Sequence, residues 1–181
     1  MPSSLRPSWP LKIGLLTHSV NPRGGVVHTL ELAAALHAAG HQVTVWAPAL
    51  PGQRMFRAVP HRLQLVPVQA AADGTASMVA SRMAALEQHL GRVLLAESFD
   101  VLHAQDPIGA NALANLQEDG RIDGFVRTVH HLDMFEDPRL MHWQARGMHA
   151  AQQVLCVSQL WCDVLQREHG LAAHRVHNGV D

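Results

Sequence analysis

The stretch of sequence that decides the fold reads LKIGLLTHSVNPRGGVVHTLELAAALHAAGHQVTVWAP and spans residues 11–48. Its first apolar run, residues 12–17, is short and aliphatic, which is typical of a strand buried on both faces. The apolar residues of 26–39 then recur with a helical period. A second apolar, β-branched run over residues 42–47 predicts another strand, which Pro48 should end. The stretch is therefore predicted to form one βαβ unit with two neighbouring parallel strands.

Two adjacent glycines, Gly24 and Gly25, lie just before the predicted helix. Glycine lets the backbone approach a ligand with no Cβ in the way. The free N–H groups and the dipole of a helix N-terminus attract anions, so a phosphate or diphosphate fits this position. The same pair would also serve a tight turn from strand to helix, and the local sequence favours neither interpretation.

Two common phosphate-binding loops are disfavoured. A dinucleotide-binding unit needs G-x-G-x-x-G in this loop and an acidic residue at the end of the second strand. The loop lacks that spacing, and the second strand is followed by Pro48 and Ala49, with no carboxylate to hold a ribose. The G-x-x-x-x-G-K-[ST] pattern is also absent.

Strands and helices alternate along the rest of the chain. Further strands are predicted over residues 63–68, 99–104, 125–129, 153–157 and 175–177, with helices over residues 77–97, 108–116 and 138–151 and a last helix that Ser158 opens as N-cap. This order predicts an α/β fold, a doubly wound, Rossmann-like parallel sheet with helices on both faces. Ligands bind such sheets beyond the carboxyl ends of the strands. The polar and glycine residues in those positions are His18, Asn21, Gly24, Gly25, Gln105, Asp106, His130, His131, Asp133, Ser158, Asn178 and Gly179.

Composition bounds the class of protein. A length of 181 residues suits one domain. The formal net charge is −1 and Lys12 is the only lysine, so no nucleic-acid partner is expected. Residues 1–10 read as a disordered lead-in without the apolar core of a signal peptide, and no apolar run has the length of a membrane span, so a cytoplasmic location is expected.

Cysteine and histidine give no metal pattern. Cys156 and Cys162 fall in a predicted strand and the next helix, where reduced core thiols are expected. The chain has 14 histidines, but no H-E-x-x-H or C-x-x-C pairing occurs. His142 and His149 could share a helix face but lack a third ligand. We therefore expect no metal and no cofactor.

Five segments carry a resemblance to a known family. In chain order they are GGVVHTLELAAAL with AAGHQVTV, FDVLHAQDP, VRTVHHLD, AQQVLCVS and VHNGVD. Each is weakly specific, but together and in this order the chain resembles the N-terminal half of a retaining GT-B glycosyltransferase of family 4. The resemblance implies a nucleotide-sugar donor, an acceptor-binding cleft in this half, transfer with retention and no metal requirement.

The resemblance also assigns roles near the donor. Gly24 and Gly25 match the glycine loop that approaches the donor diphosphate, and His28 would line the same cleft. His130 matches the histidine that lies close to the transferred sugar, and it is the expected catalytic residue. A neutral imidazole can hydrogen-bond a sugar hydroxyl or accept a proton. The alternative for His130 is a strand-end histidine that bonds backbone.

Acceptor-side candidates have competing structural roles. Asp106 and Asp133 could hold acceptor hydroxyls or cap their own loops. Ser158 is expected to be a helix cap first, and His131 should point away from its neighbour. Asn178 and Gly179 are expected to form a turn. The acceptor-side set is Asn21, Asp106, His131, Asp133 and Ser158.

The second domain of the family, which holds the nucleotide, would begin after Asp181. Residues 11–181 are therefore expected to be an acceptor-side domain without its donor-binding partner, inactive or nearly so alone. One alternative is a natural half-protein that completes a site with a separate chain, and another is a fragment of a GT-B-like nucleotide-sugar epimerase. Exposed apolar surface would make this chain self-associate. Peripheral membrane association of the whole enzyme is left open.

Overall fold

The computed structural model describes residues 10–71 and 73–178, so only Pro10 of the predicted lead-in is included. The strands of the described residues are β1 (Lys12–Leu16), β2 (Gln42–Ala49), β3 (Arg62–Pro67), β4 (Val101–Ala104), β5 (Val126–Val129), β6 (Gln153–Cys156) and β7 (His174–Arg175). The helices are α1 (Gly24–Ala38), α2 (Gly74–Val93), α3 (Pro107–Glu118), α4 (Pro138–His149) and α5 (Gln159–His169). All strand pairs are parallel, in the order β3-β2-β1-β4-β5-β6-β7. The predicted doubly wound sheet is confirmed.

The alternation of side chains along β1 divides the core between the two faces of the sheet. Ile13 and Leu15 pack with Leu30 of α1 on one face. Leu16 packs on the other face with Leu113 of α3 and with residues of α2. Because every second residue of a strand points to the same face, a continuous apolar run supplies both layers.

The second strand runs past the proline that was predicted to end it. β2 includes Pro48 and Ala49, and Pro48 pairs with Val66 of β3. The carbonyl of Trp46 accepts from the N–H of Thr17 at 3.0 Å, so Trp46 and, two residues on, Pro48 turn their backbone groups toward β1. β1 has already ended there, so the missing N–H of proline breaks no ladder bond.

The first helix begins two residues earlier than predicted. Gly24 and Gly25 form its first turn and are not part of the preceding loop. The Val27 N–H donates to the Arg23 carbonyl at 2.9 Å, and Arg23, the N-cap residue, makes no side-chain cap bond. The N–H groups of the first turn are therefore left without a side-chain acceptor.

Both cysteines are buried free thiols in one apolar cluster with Val129 and Leu165. Burial, with Cys162 beside it, raises the pKa of the Cys156 thiol to about 12. The prediction of reduced core residues is confirmed.

The strand order reverses direction between β1 and β4. The chain leaves β1 toward β2 through α1, and it leaves β4 toward β5 through α3. The connections therefore diverge above these two strands and leave a crevice at their carboxyl ends.

Candidate functional site

A cavity of about 730 Å³ occupies this crevice. Its walls come from the loops after β1, β4, β5 and β6, from the first turns of α1, from residues of α2, α3 and α4, and from Asn178. Seven of the nine donor-side and acceptor-side candidates line it, namely Gly24, Gly25, His28, Asp106, His130, His131 and Asp133. Asn21 and Ser158 are not among its lining residues.

The two glycines face open space or the cavity. Neither Gly24 nor Gly25 has a positive φ, so the turn into α1 does not require glycine. A β-carbon at Gly24 would meet nothing within 4 Å, and one at Gly25 would first meet His130. The first turn of α1 is thus open to a ligand as well as uncapped, as an anion site at a helix N-terminus requires.

His130 is the centre of the polar part of the cavity. Its ring lies edge to face with that of His28, with 4.8 Å between centroids. Burial, then the neighbouring His28 and Arg127, lower the pKa of His130 to about 3. Burial also lowers the pKa of His28, against a hydrogen bond that its ring donates to the Asn178 side chain, which raises the pKa. The His130 imidazole is therefore neutral at physiological pH, as the sequence prediction required.

A buried network of hydrogen-bonded side chains runs from His130 into the sheet. The Nε2 atom of His130 lies 3.1 Å from Oε1 of Gln105, and Nε2 of Gln105 lies 3.1 Å from Nε2 of His103. The Thr128 hydroxyl lies 2.7 Å from the same His103 nitrogen. Burial and then Arg127 lower the pKa of His103 to about 3.

Asp106 is the buried carboxylate of the site. Its Oδ1 accepts from the Gly109 N–H at 2.9 Å and caps α3, while its Oδ2 lies 3.7 Å from Nδ1 of His18. Burial raises the pKa of Asp106, but His18, the Gly109 N–H and Arg127 outweigh it and hold the pKa below its usual value. The loop-capping role is therefore present, and the carboxylate also balances buried positive charge.

Arg127 is a buried cation in the cavity wall. It is 3% exposed, and its Nη1 donates to the Thr128 carbonyl. Burial lowers the pKa of Arg127 to about 10, against Asp106 and Cys156, which raise it. Arg127 therefore stays protonated and favours the neutral forms of the nearby histidines.

The loop after β5 carries His131 and Asp133 at the mouth of the cavity. His131 Nε2 lies 3.3 Å from Asp133 Oδ2, and both side chains are mostly exposed. The Gln144 amide of α4 binds both the N–H and the carbonyl of Asp133, at 2.9 and 3.0 Å. The prediction that His131 points away from His130 agrees with this exposed pairing.

Two predicted residues lie elsewhere. Asn21 is exposed in the loop before α1. The Ser158 hydroxyl accepts from the Trp161 N–H at 3.4 Å and caps α5, so its expected structural role is confirmed. Asn178, expected mainly to form a turn, lines the cavity, while Gly179 lies outside the described residues.

Sequence reasoning gave no role to Gln105, His103 or Arg127. Gln105 was selected by its position after β4, and the segment FDVLHAQDP contains both His103 and Gln105, but neither was given a role. His103 and Gln105 are two residues apart, a spacing that places them on the same side of a strand and that could have linked them. Arg127 lies in the segment VRTVHHLD, but it was given no role because arginine within a short strand usually faces solvent.

The described residues hold no group of three or more His, Cys, Asp or Glu side chains that could bind a metal ion. None of the helices in residues 10–71 and 73–178 has the length and apolar character needed to cross a membrane.

Solved structures define the class of fold. The chain superimposes on sucrose-phosphate synthase from Thermosynechococcus elongatus with a TM-score of 0.72 and 17% identity, covering 90% of this chain and 46% of that one. The superposition on the catalytic domain of starch synthase IV from Arabidopsis thaliana, bound to ADP and acarbose, has a TM-score of 0.69 and 14% identity. It covers 96% of this chain and 52% of that one. The superposition on UDP-N-acetylglucosamine 2-epimerase from Rickettsia bellii has a TM-score of 0.58 and 14% identity. It covers 91% of this chain and 43% of that one. This chain spans about half the length of each, and the shared fold is the Rossmann-like domain of GT-B proteins.

The sequence then gives the family. A family model described as Glycosyltransferase Family 4 matches residues 22–181. The chain belongs to glycosyltransferase family 4, and the resemblance drawn from its five segments is confirmed. A search of curated proteins finds no match.

Proposed function

We propose that this chain is the acceptor-side domain of a glycosyltransferase that moves a sugar from a nucleotide-sugar donor to an acceptor hydroxyl with retention. The observation that carries the proposal is that the uncapped first turn of α1 and the neutral imidazole of His130 face one cavity. Membership of glycosyltransferase family 4 supports transfer as the reaction class.

The first turn of α1 is proposed to meet the donor diphosphate. Gly24 and Gly25 present backbone N–H groups at the positive end of the helix dipole, with no side chain between them and the cavity. Such groups stabilise negative charge that develops on a leaving diphosphate, because they are already oriented before the reaction.

His130 is proposed to orient a sugar hydroxyl. Its pKa of about 3 leaves it uncharged, so it contributes a directed hydrogen bond and no charge to the site. His28 packs against it and fixes the ring plane. His131 and Asp133 lie at the cavity mouth, where they are available to acceptor hydroxyls, whereas the proposal gives Asn21 no role.

The charge of the cavity limits what this domain does alone. Its lining includes two arginines and three carboxylates: Arg23, Arg127, Glu31, Asp106 and Asp133. A departing nucleoside diphosphate needs an excess of positive charge or aligned dipoles around it. We therefore assign most donor binding to residues outside this chain, and we expect little or no transfer by the chain alone.

Backbone-amide NMR with UDP-, GDP- and ADP-sugars tests the proposal. We expect weak, saturable shifts at Gly24, Gly25 and the residues around His130. Asn21→Ala, outside the cavity, is the matched control and should bind equally. Shifts confined to other surfaces would contradict the proposal, as would efficient sugar transfer by this chain alone.

The epimerase alternative draws its support from similarity of fold alone, at 14% identity. Incubation with UDP-N-acetylglucosamine separates the two classes, because an epimerase inverts a carbon of the free nucleotide sugar without an acceptor. The half-protein alternative predicts activity only when a separate chain is added.

A further inference from the structure

The buried network of side chains behind His130 is a single row of hydrogen-bonding groups. It runs from Thr128 through His103 and Gln105 to His130, with successive distances of 2.7, 3.1 and 3.1 Å. The three inner members are nearly inaccessible: His103 is 7% exposed, Gln105 2% and Thr128 1%. An unpaired polar atom at such a depth is costly, so the atoms that face each other along this network must pair a donor with an acceptor.

The orientation of the Gln105 amide, with its nitrogen toward His103 and its oxygen toward His130, sets where the protons lie. Its nitrogen can only donate, so the facing Nε2 of His103 accepts and the proton of His103 is on Nδ1. The Thr128 hydroxyl lies 2.7 Å from the same Nε2, so in this tautomer it and the Gln105 N–H share the one lone pair of that nitrogen. The amide oxygen of Gln105 can only accept, so the facing Nε2 of His130 carries a proton.

We propose that Gln105 is a positioning residue that holds His130 as its Nε2–H tautomer and leaves Nδ1 as the hydrogen-bond acceptor of the ring. The ligand for that nitrogen is a hydroxyl donor such as a sugar alcohol. The identity of this hydroxyl rests on the proposed function, whereas the tautomer of His130 does not.

The groups around His130 keep its ring neutral, so the tautomer decides which ring nitrogen can accept a hydrogen bond. The titratable groups around it are His28 of α1, Arg127 of β5, the adjacent His131, Asp106 before α3 and His103 of β4. Of these, only Asp106 favours the imidazolium form, and burial outweighs it. A neutral imidazole has one donor and one acceptor, so the partner of one nitrogen determines what the other can do.

Histidine side-chain nitrogen NMR of this chain tests the inference without a substrate. The resonances are assigned by loss of signals in His103→Gln and His130→Gln. We expect opposite tautomers at neutral pH, with the proton on Nδ1 of His103 and on Nε2 of His130. The reverse pattern, or the same tautomer in both rings, overturns the proposal.

Two substitutions at Gln105 then test its role. Gln105→Leu removes both hydrogen bonds, so His103 and His130 should shift toward mixtures of tautomers. Gln105→Glu places a carboxylate against Nε2 of His130 and should raise the pKa of that histidine by about 1 or more. A role limited to packing would leave the titration of His130 unchanged.

Gln64 offers a matched control outside the cavity. Its Oε1 accepts from the Trp46 indole at 2.8 Å and lies 3.0 Å from Nε2 of His89. Gln64→Leu should change the signals of His89 and leave those of His103 and His130 as they are. Unchanged His130 signals in both folded Gln105 variants would overturn the proposal, and if neither variant folds the wild-type tautomers still decide it. If the tautomers are as expected but no nucleotide sugar binds, the proposed function fails and the positioning role stands.

Discussion

A β-carbon built on Gly25 would lie 3.5 Å from Cδ2 of His130, at ordinary van der Waals contact. The protein could therefore accommodate alanine at this position, and the backbone there has no positive φ to demand glycine. The space between the helix terminus and the imidazole is consequently left for something other than protein, which favours the ligand interpretation of the glycine pair over the turn interpretation.

Gly25→Ala should separate stability from binding. Alanine stabilises a helix relative to glycine by up to about 1 kcal/mol, so the midpoint temperature of thermal unfolding should be unchanged or slightly higher. Binding of a nucleotide sugar should weaken, because the new methyl group occupies the approach to the first turn of α1. Calorimetric titration measures the effect, with Asn21→Ala as control; equal affinity in Gly25→Ala would contradict the assignment.

Acid should destabilise the fold before its carboxylates titrate. The pKa of His103 is lowered from 6.5 to about 3 in the folded chain, first by burial. Between about pH 6.5 and pH 4.5 the unfolded chain binds a proton that the folded chain does not, so the free energy of unfolding falls as pH falls. His103 should contribute about 1 kcal/mol for each pH unit, measured by urea denaturation across this window.

His103→Gln tests whether His103 causes the loss of stability in acid. Its side-chain carbonyl can accept from Thr128 and Gln105 but cannot titrate, so the pH dependence should become shallower even if stability at neutral pH is lower. His142→Gln, at an exposed position, should keep the wild-type slope. An unaltered slope in His103→Gln would show that other groups cause the acid sensitivity.

The fold was predictable because its signals are local. Apolar runs and helical periods along the chain located the elements, and their alternation gave the parallel sheet. The end of β2 was wrong because the tolerance for Pro48 depends on where β1 ends, which is a property of the neighbouring strand. Similarly, the start of α1 was wrong because glycine in a first turn looks like loop sequence.

The site was only partly predictable, because the position of a residue after a strand does not tell where its side chain points. The carboxyl-end rule selected both His130, which faces the cavity, and Asn21 and Ser158, which do not line it. The role of His103 depends on Thr128, which lies 25 residues away on the next strand. Such a pairing follows from strand register, and no motif contains it.

Gly14→Ala should destabilise the sheet core. A β-carbon there would lie 2.4 Å from Cζ3 of Trp46 and 2.9 Å from Cδ2 of Leu102. Trp46 is fully buried and cannot move freely, so we expect a loss of about 1 to 3 kcal/mol in the free energy of unfolding. Gly91→Ala, in α2, is the control: the new β-carbon would first meet Nη1 of Arg121 at 3.7 Å, an ordinary contact, and alanine there should stabilise the helix. Equal stability of the two variants would argue against the packing of β1 against Trp46.

Asp106 should contribute more to stability than a helix cap does. Asp106 and Ser158 each accept one backbone N–H at the start of a helix, so replacement of either by alanine removes one cap, worth about 1 kcal/mol. Asp106→Ala also removes the carboxylate that does most to raise the pKa of the buried Arg127 guanidinium, and a buried cation is less favourable without nearby negative charge. We therefore expect Asp106→Ala to lose about 2 kcal/mol or more beyond Ser158→Ala in urea denaturation at neutral pH. Asp106→Asn keeps an acceptor for the Gly109 N–H and removes only the charge, so its loss should equal that excess. Equal losses in Asp106→Ala and Ser158→Ala would mean that Asp106 acts only as a cap and that Arg127 is stabilised by other groups.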